Sequence, residues 1–296
     1  MKVLLIDVDS TIPNLALMHI STYYKNGGGN EVGFNVSDPD KVYASVIFTK
    51  NRHLCDGLRF LYPNAEIDIG GSGYDLNKKL PEEVNRLMPD YSLYPDYPSD
   101  LGFTTRGCDR NCYFCIVTKK EGRFHINQHP SEFHDPSHKS IVLMDNNILW
   151  DKDWFMEVTD WILKNNLKVD FNQGLDIRLV DNDIAKRLSE LRPIRNWHFA
   201  FDSLNYKDDV IKGIGILNRN GVNLRHDSNW YVYLHNDSQF EDALERITIL
   251  KEQNVLPYLM INPESKKTRR MSDLKRYTRP WVFFSMDFKD YRRSLA

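Results

Sequence analysis

Cysteine is scarce in this chain of 296 residues, with four in all. Three stand within eight positions, at Cys108, Cys112 and Cys115, and Cys55 is left over. Secreted chains tend to spread cysteines as pairs, so this usage argues against a disulfide framework and for a reducing, cytoplasmic compartment. It also leaves no thiols for a second cysteine-held cluster. No apolar run approaches the roughly 18 residues that cross a bilayer, so no membrane anchor is expected. The opening run Val3-Leu4-Leu5-Ile6 meets Asp7 too soon for the hydrophobic region of a secretory signal and reads as a buried strand.

Charge of one sign is also lacking overall, since the net charge is only −2. It is unevenly placed, however: residues 265–296 hold ten Lys or Arg against three Asp. With Tyr277, Trp281, Phe283, Phe284 and Tyr291 interleaved, this segment could track a phosphate backbone and stack bases. The plainer reading is preferred, in which the aromatics pack on the domain and the charges face water. A hydrophobic content of 41% with 12% aromatics is that of an ordinary globular protein with a sizeable core.

The apolar pattern predicts a small α/β unit over 1–88: strands at Val3–Val8, Lys41–Thr49 and Ala65–Ile69, helices at Pro13–Tyr24 and Leu54–Leu61, and a parallel sheet between them. Cys55 falls in the second helix, where a lone cysteine acts as a small buried hydrophobe. Gly27-Gly28-Gly29 breaks the chain, and Gly70 to Gly73 ends a strand where a close backbone approach is useful. A segment rich in proline and tyrosine over 89–100 reads as a linker. Six strand-like segments follow in 101–264: Gly102–Arg106, Ser140–Met144, Lys168–Asn172, Trp197–Asp202, Trp230–His235 and Leu256–Ile261. Helical stripes separate them, the clearest being Phe240, Ala243, Leu244, Ile247 and Leu250. Residues 265–296 form a basic extension.

The cysteine spacing is C-x3-C-x2-C, with Phe114 before the third cysteine and Thr104-Thr105-Arg106-Gly107 leading in. Zinc with a fourth ligand from His125, His129, His134 or His138 is the competing reading. It suits the pattern less well, because structural zinc sites pair their ligands as two short knuckles. A metal-binding or redox-sensing protein without radical chemistry, whether holding iron–sulfur or zinc, is the alternative function; a zinc-stabilised nucleic-acid module belongs to it.

The cysteine run resembles that of the radical S-adenosylmethionine (SAM) enzymes. The resemblance implies a partial (β/α)6 TIM-type barrel, with working residues at the carboxyl ends of its strands. It implies one [4Fe–4S] cube on the three thiolates with an open iron for SAM, reductive cleavage of SAM to a 5′-deoxyadenosyl radical, and hydrogen abstraction from a substrate that the motifs do not name. A reducing donor such as flavodoxin or ferredoxin is implied as partner. Where family members carry a Gly-Gly-Glu-like motif, this chain reads Asp145-Asn146-Asn147. These three residues, with Phe114, Gln173, Asp176, Arg178, Asp202 and Ser203, are the candidates for binding SAM or substrate. His235 and Asn262 close the last two strands and are weaker candidates.

The first unit looks like the Rossmann-like cobalamin-binding-type domain that precedes the barrel in one radical SAM subgroup. The D-x-H-x-x-G motif that supplies cobalt with its histidine is missing after the first strand. A domain that keeps the fold without cobalamin is therefore expected.

Overall fold

The structure, a computed structural model, describes residues 1–294; Leu295 and Ala296, the end of the basic extension, lie outside them. The chain is mixed α/β with parallel sheets, and it divides into two compact units. One comprises 1–111 with 115–142, the other 112–114 with 143–296. Among the described residues no helix is long and apolar enough to cross a membrane.

The first unit is built on β1 (Lys2–Asp7), α1 (Leu15–Asn26), β2 (Glu31–Gly33), β3 (Lys41–Ser45), α2 (Leu58–Leu61) and β4 (Glu66–Gly70). Its strands run in the order β2-β1-β3-β4, all parallel. The unbroken apolar run of β1 follows from burial on both faces. Val3 and Leu5 pack with Leu17 and Ile20 of α1, whereas Leu4 packs with Val36 and Val42. Asn14 caps α1 by accepting from the Leu17 N–H, and its amide donates to the Ser10 and Ser45 hydroxyls.

The helix expected over Leu54–Leu61 is broken. A 3-10 turn covers Thr49–Cys55, Gly57 intervenes, and only Leu58–Leu61 is α-helical. The turn starts early because Asp9 holds the Ile47 and Phe48 amides at 2.7 and 3.0 Å and the Asn51 amide at 2.9 Å. Cys55 is buried as expected, and burial pushes its thiol pKa up. The close approach expected at the glycine run is present: a Cβ on Gly71, whose φ is +94°, would come 2.2 Å from the Val46 carbonyl oxygen.

The same unit continues with α3 (Glu82–Asn85), β5 (Asp100–Gly102), β6 (Thr105–Arg106), α4 (Val117–Glu121), β7 (His125–Ile126) and β8 (Ser140–Leu143), whose last residue belongs to the second unit. Residues 89–100 are fastened to this unit: the Tyr94 hydroxyl donates to Asp7, the Tyr91 hydroxyl donates to the Phe133 carbonyl, and Ser21 and Lys25 donate to Asp90. The single strand expected over Gly102–Arg106 is split. Asn127 captures the Phe103 and Thr104 carbonyls, and β6 turns to pair antiparallel with β7.

The second unit carries α5 (Lys152–Lys164), β9 (Lys168–Phe171), α6 (Asn182–Glu190), β10 (Trp197–Ala200), α7 (Lys207–Arg219), α8 (Leu224–Asp227), β11 (Ser228–Leu234), α9 (Phe240–Glu252) and β12 (Pro257–Ile261). Strands β10, β11 and β12 form a parallel sheet, and bridges Val169–Pro193 and Leu175–Phe199 tie β9 to the β10 segment. Alternation along β11 is clean: Trp230, Val232 and Leu234 are buried, whereas Tyr231 and Tyr233 face the other side. The basic extension is helical, as α10 (Arg269–Tyr277), α11 (Pro280–Phe283) and α12 (Phe288–Ser294). Tyr277 and Phe283 are buried there, with Phe288 and Tyr291 against Tyr277.

Candidate functional site

None of the three clustered cysteines is in a disulfide, and all three are half-buried. Their loop is entered through Gly107 at φ +74°, where a Cβ would meet the Arg123 carbonyl oxygen at 2.1 Å, so glycine is required. Asn111 also takes a left-handed conformation. In the first unit the Cys108 N–H donates to the Gly122 carbonyl, the Thr118 hydroxyl donates to the Cys108 carbonyl, and the Val117 N–H points to Cys115 Sγ at 3.5 Å. An N–H aimed at a cysteine sulfur is one of the levers that tune a thiolate-bound cluster.

Cys112, Tyr113 and Phe114 belong to the second unit. Phe114 stacks on Tyr233 near the end of β11, with centroids 4.4 Å apart. Tyr113 sets its ring edge-on to Phe114 and to His235, and its hydroxyl donates to Gln239. Sequence reading chose Phe114 and missed Tyr113, Tyr206 and Tyr233; the alternation Tyr231, Tyr233, His235 was the available signal.

Asp176 and Arg178 are brought together. Nε donates to Oδ1 at 2.7 Å and a terminal nitrogen donates to Oδ2 at 3.0 Å, a planar two-bond pairing suited to arginine. The guanidinium lies 4.5 Å from the Tyr206 ring centroid. Burial lowers the Arg178 pKa, but Asp176 and the nearby Tyr206 and Cys112 outweigh it, and the net shift is upward. A fixed cation therefore stands within electrostatic reach of Cys112, favouring its thiolate. Asp176 also caps the 3-10 turn Ile177–Leu179 and accepts from the Asn147 amide at 3.4 Å.

Asp145 and Asn147 are buried just beyond β8, and Asn146 is half-buried between them. Among the described residues Asn146 Nδ2 and Asn147 Oδ1 find no hydrogen-bond partner although both atoms are buried, an arrangement proteins rarely leave unfilled. Gln173 is exposed and donates to its neighbour Asn172. Ser203 caps the turn Leu204–Tyr206. Asp202 does not cap the next helix. It accepts the Tyr233 N–H at 2.9 Å, and burial raises its pKa against the pull of that bond and of Arg246 and Arg178.

His235 and Asn262 meet, with the Asn262 amide 3.3 Å from His235 Nδ1. Both line a pocket of about 660 Å³ beyond the ends of β11 and β12, which Asp237, Glu264, Lys266 and Thr268 also border. A further pair went unread in the sequence: Asp170 of β9 and His198 of β10 stand 3.7 Å apart. Burial raises the Asp170 pKa and lowers that of His198.

The donor set suits an iron–sulfur cube by its chemistry: three thiols outside any disulfide in one short loop, an N–H on one sulfur and a cation near another. Among the described residues no group of three or more His, Cys, Asp or Glu side chains is gathered as a metal site. Each histidine of the zinc reading has its Nδ1 in a hydrogen bond. His134 and His138 turn Nδ1 to the fully buried carboxylate of Asp100 at 2.5 and 2.8 Å, and His125 and His129 hydrogen-bond locally. No family model and no curated protein matches the chain.

Proposed function

We propose that the chain is a cytoplasmic radical SAM enzyme, with one [4Fe–4S] cube held by Cys108, Cys112 and Cys115. The observation that carries this reading is the cysteine loop, with three thiols outside any disulfide at C-x3-C-x2-C spacing and Phe114 seated on Tyr233. When bound, the cube supplies the electron that splits SAM into methionine and the 5′-deoxyadenosyl radical, which takes a hydrogen atom from substrate.

The chain's own residues orient and exclude. Arg178, clamped by Asp176, holds positive charge toward Cys112. Asn146 Nδ2 and Asn147 Oδ1 offer a donor and an acceptor to the carboxylate and amino groups of SAM, which would fill their missing partners. The Tyr113, Phe114 and Tyr233 rings shield one side of the loop, and the pocket bordered by His235 and Asn262 gives room for a ligand at the strand ends.

We read 101–264 as a partial (β/α)6 barrel, supported by the parallel order β10-β11-β12 and the helices between its strands. The first sheet we read as a Rossmann-like relative of cobalamin-binding domains that has lost its cofactor. Open parallel sheets take ligands where strand order reverses, here beyond β1 and β3. In that place Asp9 itself holds the amides of Ile47 and Phe48, and Asn14 bridges Ser10 and Ser45.

The test is anaerobic: reconstitute the full chain with iron and sulfide, reduce with dithionite, add SAM and measure 5′-deoxyadenosine by mass spectrometry. The reading expects its formation and its loss in Cys112→Ala. An intact cube whose EPR signal ignores SAM, with no 5′-deoxyadenosine formed, would overturn it.

A further inference from the structure

We infer that a groove along β12 is the docking track for a single-stranded nucleic acid, leading a nucleotide into the pocket at the ends of β11 and β12. Its assignment as substrate rests on the radical reading, whereas the docking stands on the groove alone. The groove encloses about 480 Å³ between β12 and α10 and has an apolar floor that includes Leu256, Pro257 and Leu259.

Its rim carries Lys267, Lys275, Arg276 and Arg279, and none of its lining residues is acidic. Elsewhere in this region Arg270 pairs with Asp237 and Glu241, and Arg292 with Asp273. On the rim only Arg276 has a carboxylate partner among the described residues, Asp273 at 3.3 Å. A neutral occupant would leave three of the four rim cations, Lys267, Lys275 and Arg279, with no carboxylate to offset them among the described residues, so the complementary partner is a polyanion.

Two aromatic faces decide between polyanions. Tyr258 lines the groove and is 51% exposed; Trp281, next to the lining Pro280, is 71% exposed, with the Arg279 guanidinium 5.8 Å from its ring. Exposed rings between cations accept bases of any sequence. An acidic peptide added to a strand would instead need pockets for alternate side chains. The track also leads somewhere: Ile261 and Lys267 line the groove, while their chain neighbours Asn262, Lys266 and Thr268 line the 660 Å³ pocket.

The experiment is fluorescence anisotropy of the full chain with a labelled single-stranded RNA, a DNA of the same sequence, and a labelled oligoglutamate, over a range of potassium chloride. At least one nucleic acid should bind, with log affinity falling against log salt at a slope of about −2 to −3, as three or four phosphate contacts require. Lys267→Ala/Lys275→Ala/Arg279→Ala should lower affinity at least tenfold and flatten the slope by about 2. Replacing Lys267 and Lys275 by Arg should preserve binding, and Lys186→Ala on exposed α6 should leave it unchanged. Circular dichroism of the triple variant, whose changed side chains are all exposed, checks that it folds.

No binding by either strand at low salt, equal binding of oligoglutamate, or indifference to the triple variant overturns the inference. Formation of 5′-deoxyadenosine without strand binding would sink the docking alone. Strand binding without SAM cleavage would sink the enzymatic reading alone.

Discussion

Phe114 lies over Tyr233 with the two rings 25° from coplanar and their centroids 4.4 Å apart, so a residue between two clustered cysteines is fixed to the end of a core strand. Such pairs contribute about 0.5–1.5 kcal/mol beyond the area they bury. The contact acts as a strut for Cys112 and Tyr113, which precede it.

Removing that strut should loosen the loop without unfolding the chain. Phe114→Ala is expected to reduce iron retained per chain after reconstitution and to slow 5′-deoxyadenosine formation about tenfold, a loss of ~1.4 kcal/mol. Phe114→Tyr, which keeps the ring, should stay within about twofold. Iron assay and mass spectrometry on the same preparations check both, and equal iron and equal rates in the alanine variant would contradict the strut.

Arg178 is expected to need its fork as well as its charge. Lysine keeps the charge but cannot make the paired bonds to Asp176, so Arg178→Lys should retain part of the activity and Arg178→Ala very little. The pH dependence of thiol alkylation in the cluster-free protein is a separate readout. Loss of the neighbouring cation should move Cys112 reactivity to higher pH.

His19 predicts an acid limb of stability. Its side chain is 3% exposed, and burial, reinforced by Arg106, depresses its pKa from 6.5 to about 4 despite a bond to the Leu87 backbone. Between those values the unfolded chain takes up a proton that the folded chain refuses. The stabilisation is therefore complete above pH 6.5 and lost as pH falls toward 4, up to roughly 3 kcal/mol. Urea unfolding across that window should show about one fewer proton of dependence in His19→Gln. An unchanged slope would exclude His19 as the source.

Gly71→Ala should destabilise the first unit by at least ~2 kcal/mol, because the methyl meets the Val46 carbonyl and the backbone is left-handed. Gly28 is also left-handed but open on all sides, so Gly28→Ala should cost less. Thermal melts of the two variants make the comparison.

What the sequence made legible is what local spacing encodes. The apolar stripe of α9 is such a case, with Phe240, Ala243, Ile247 and Leu250 buried, and so is the buried strand β1. The Asp176–Arg178 pair could be suspected because its members are two residues apart. Arg246 could not: a charge on a helix reads as surface, yet this side chain is 1% exposed and donates to the Phe201 and Tyr233 carbonyls. The Asp170–His198 pair and the Asp100–His134–His138 cluster depend on register and on loop paths, which no window of neighbouring residues specifies. The cysteine loop was readable as a motif, but its seating on Tyr233 was not, because that contact joins residues 119 positions apart.

The period-two alternation of β11 makes its polar face a single inheritable set. One inserted residue ahead of Trp230 would exchange Tyr231, Tyr233 and His235 with Trp230, Val232 and Leu234, turning indole and aliphatic groups outward and burying imidazole and phenols. Two inserted residues would restore the facing but carry His235 about 7 Å along the strand, away from Asn262. Viable lineages of this chain should therefore place length changes in the loops around β11 and never within it.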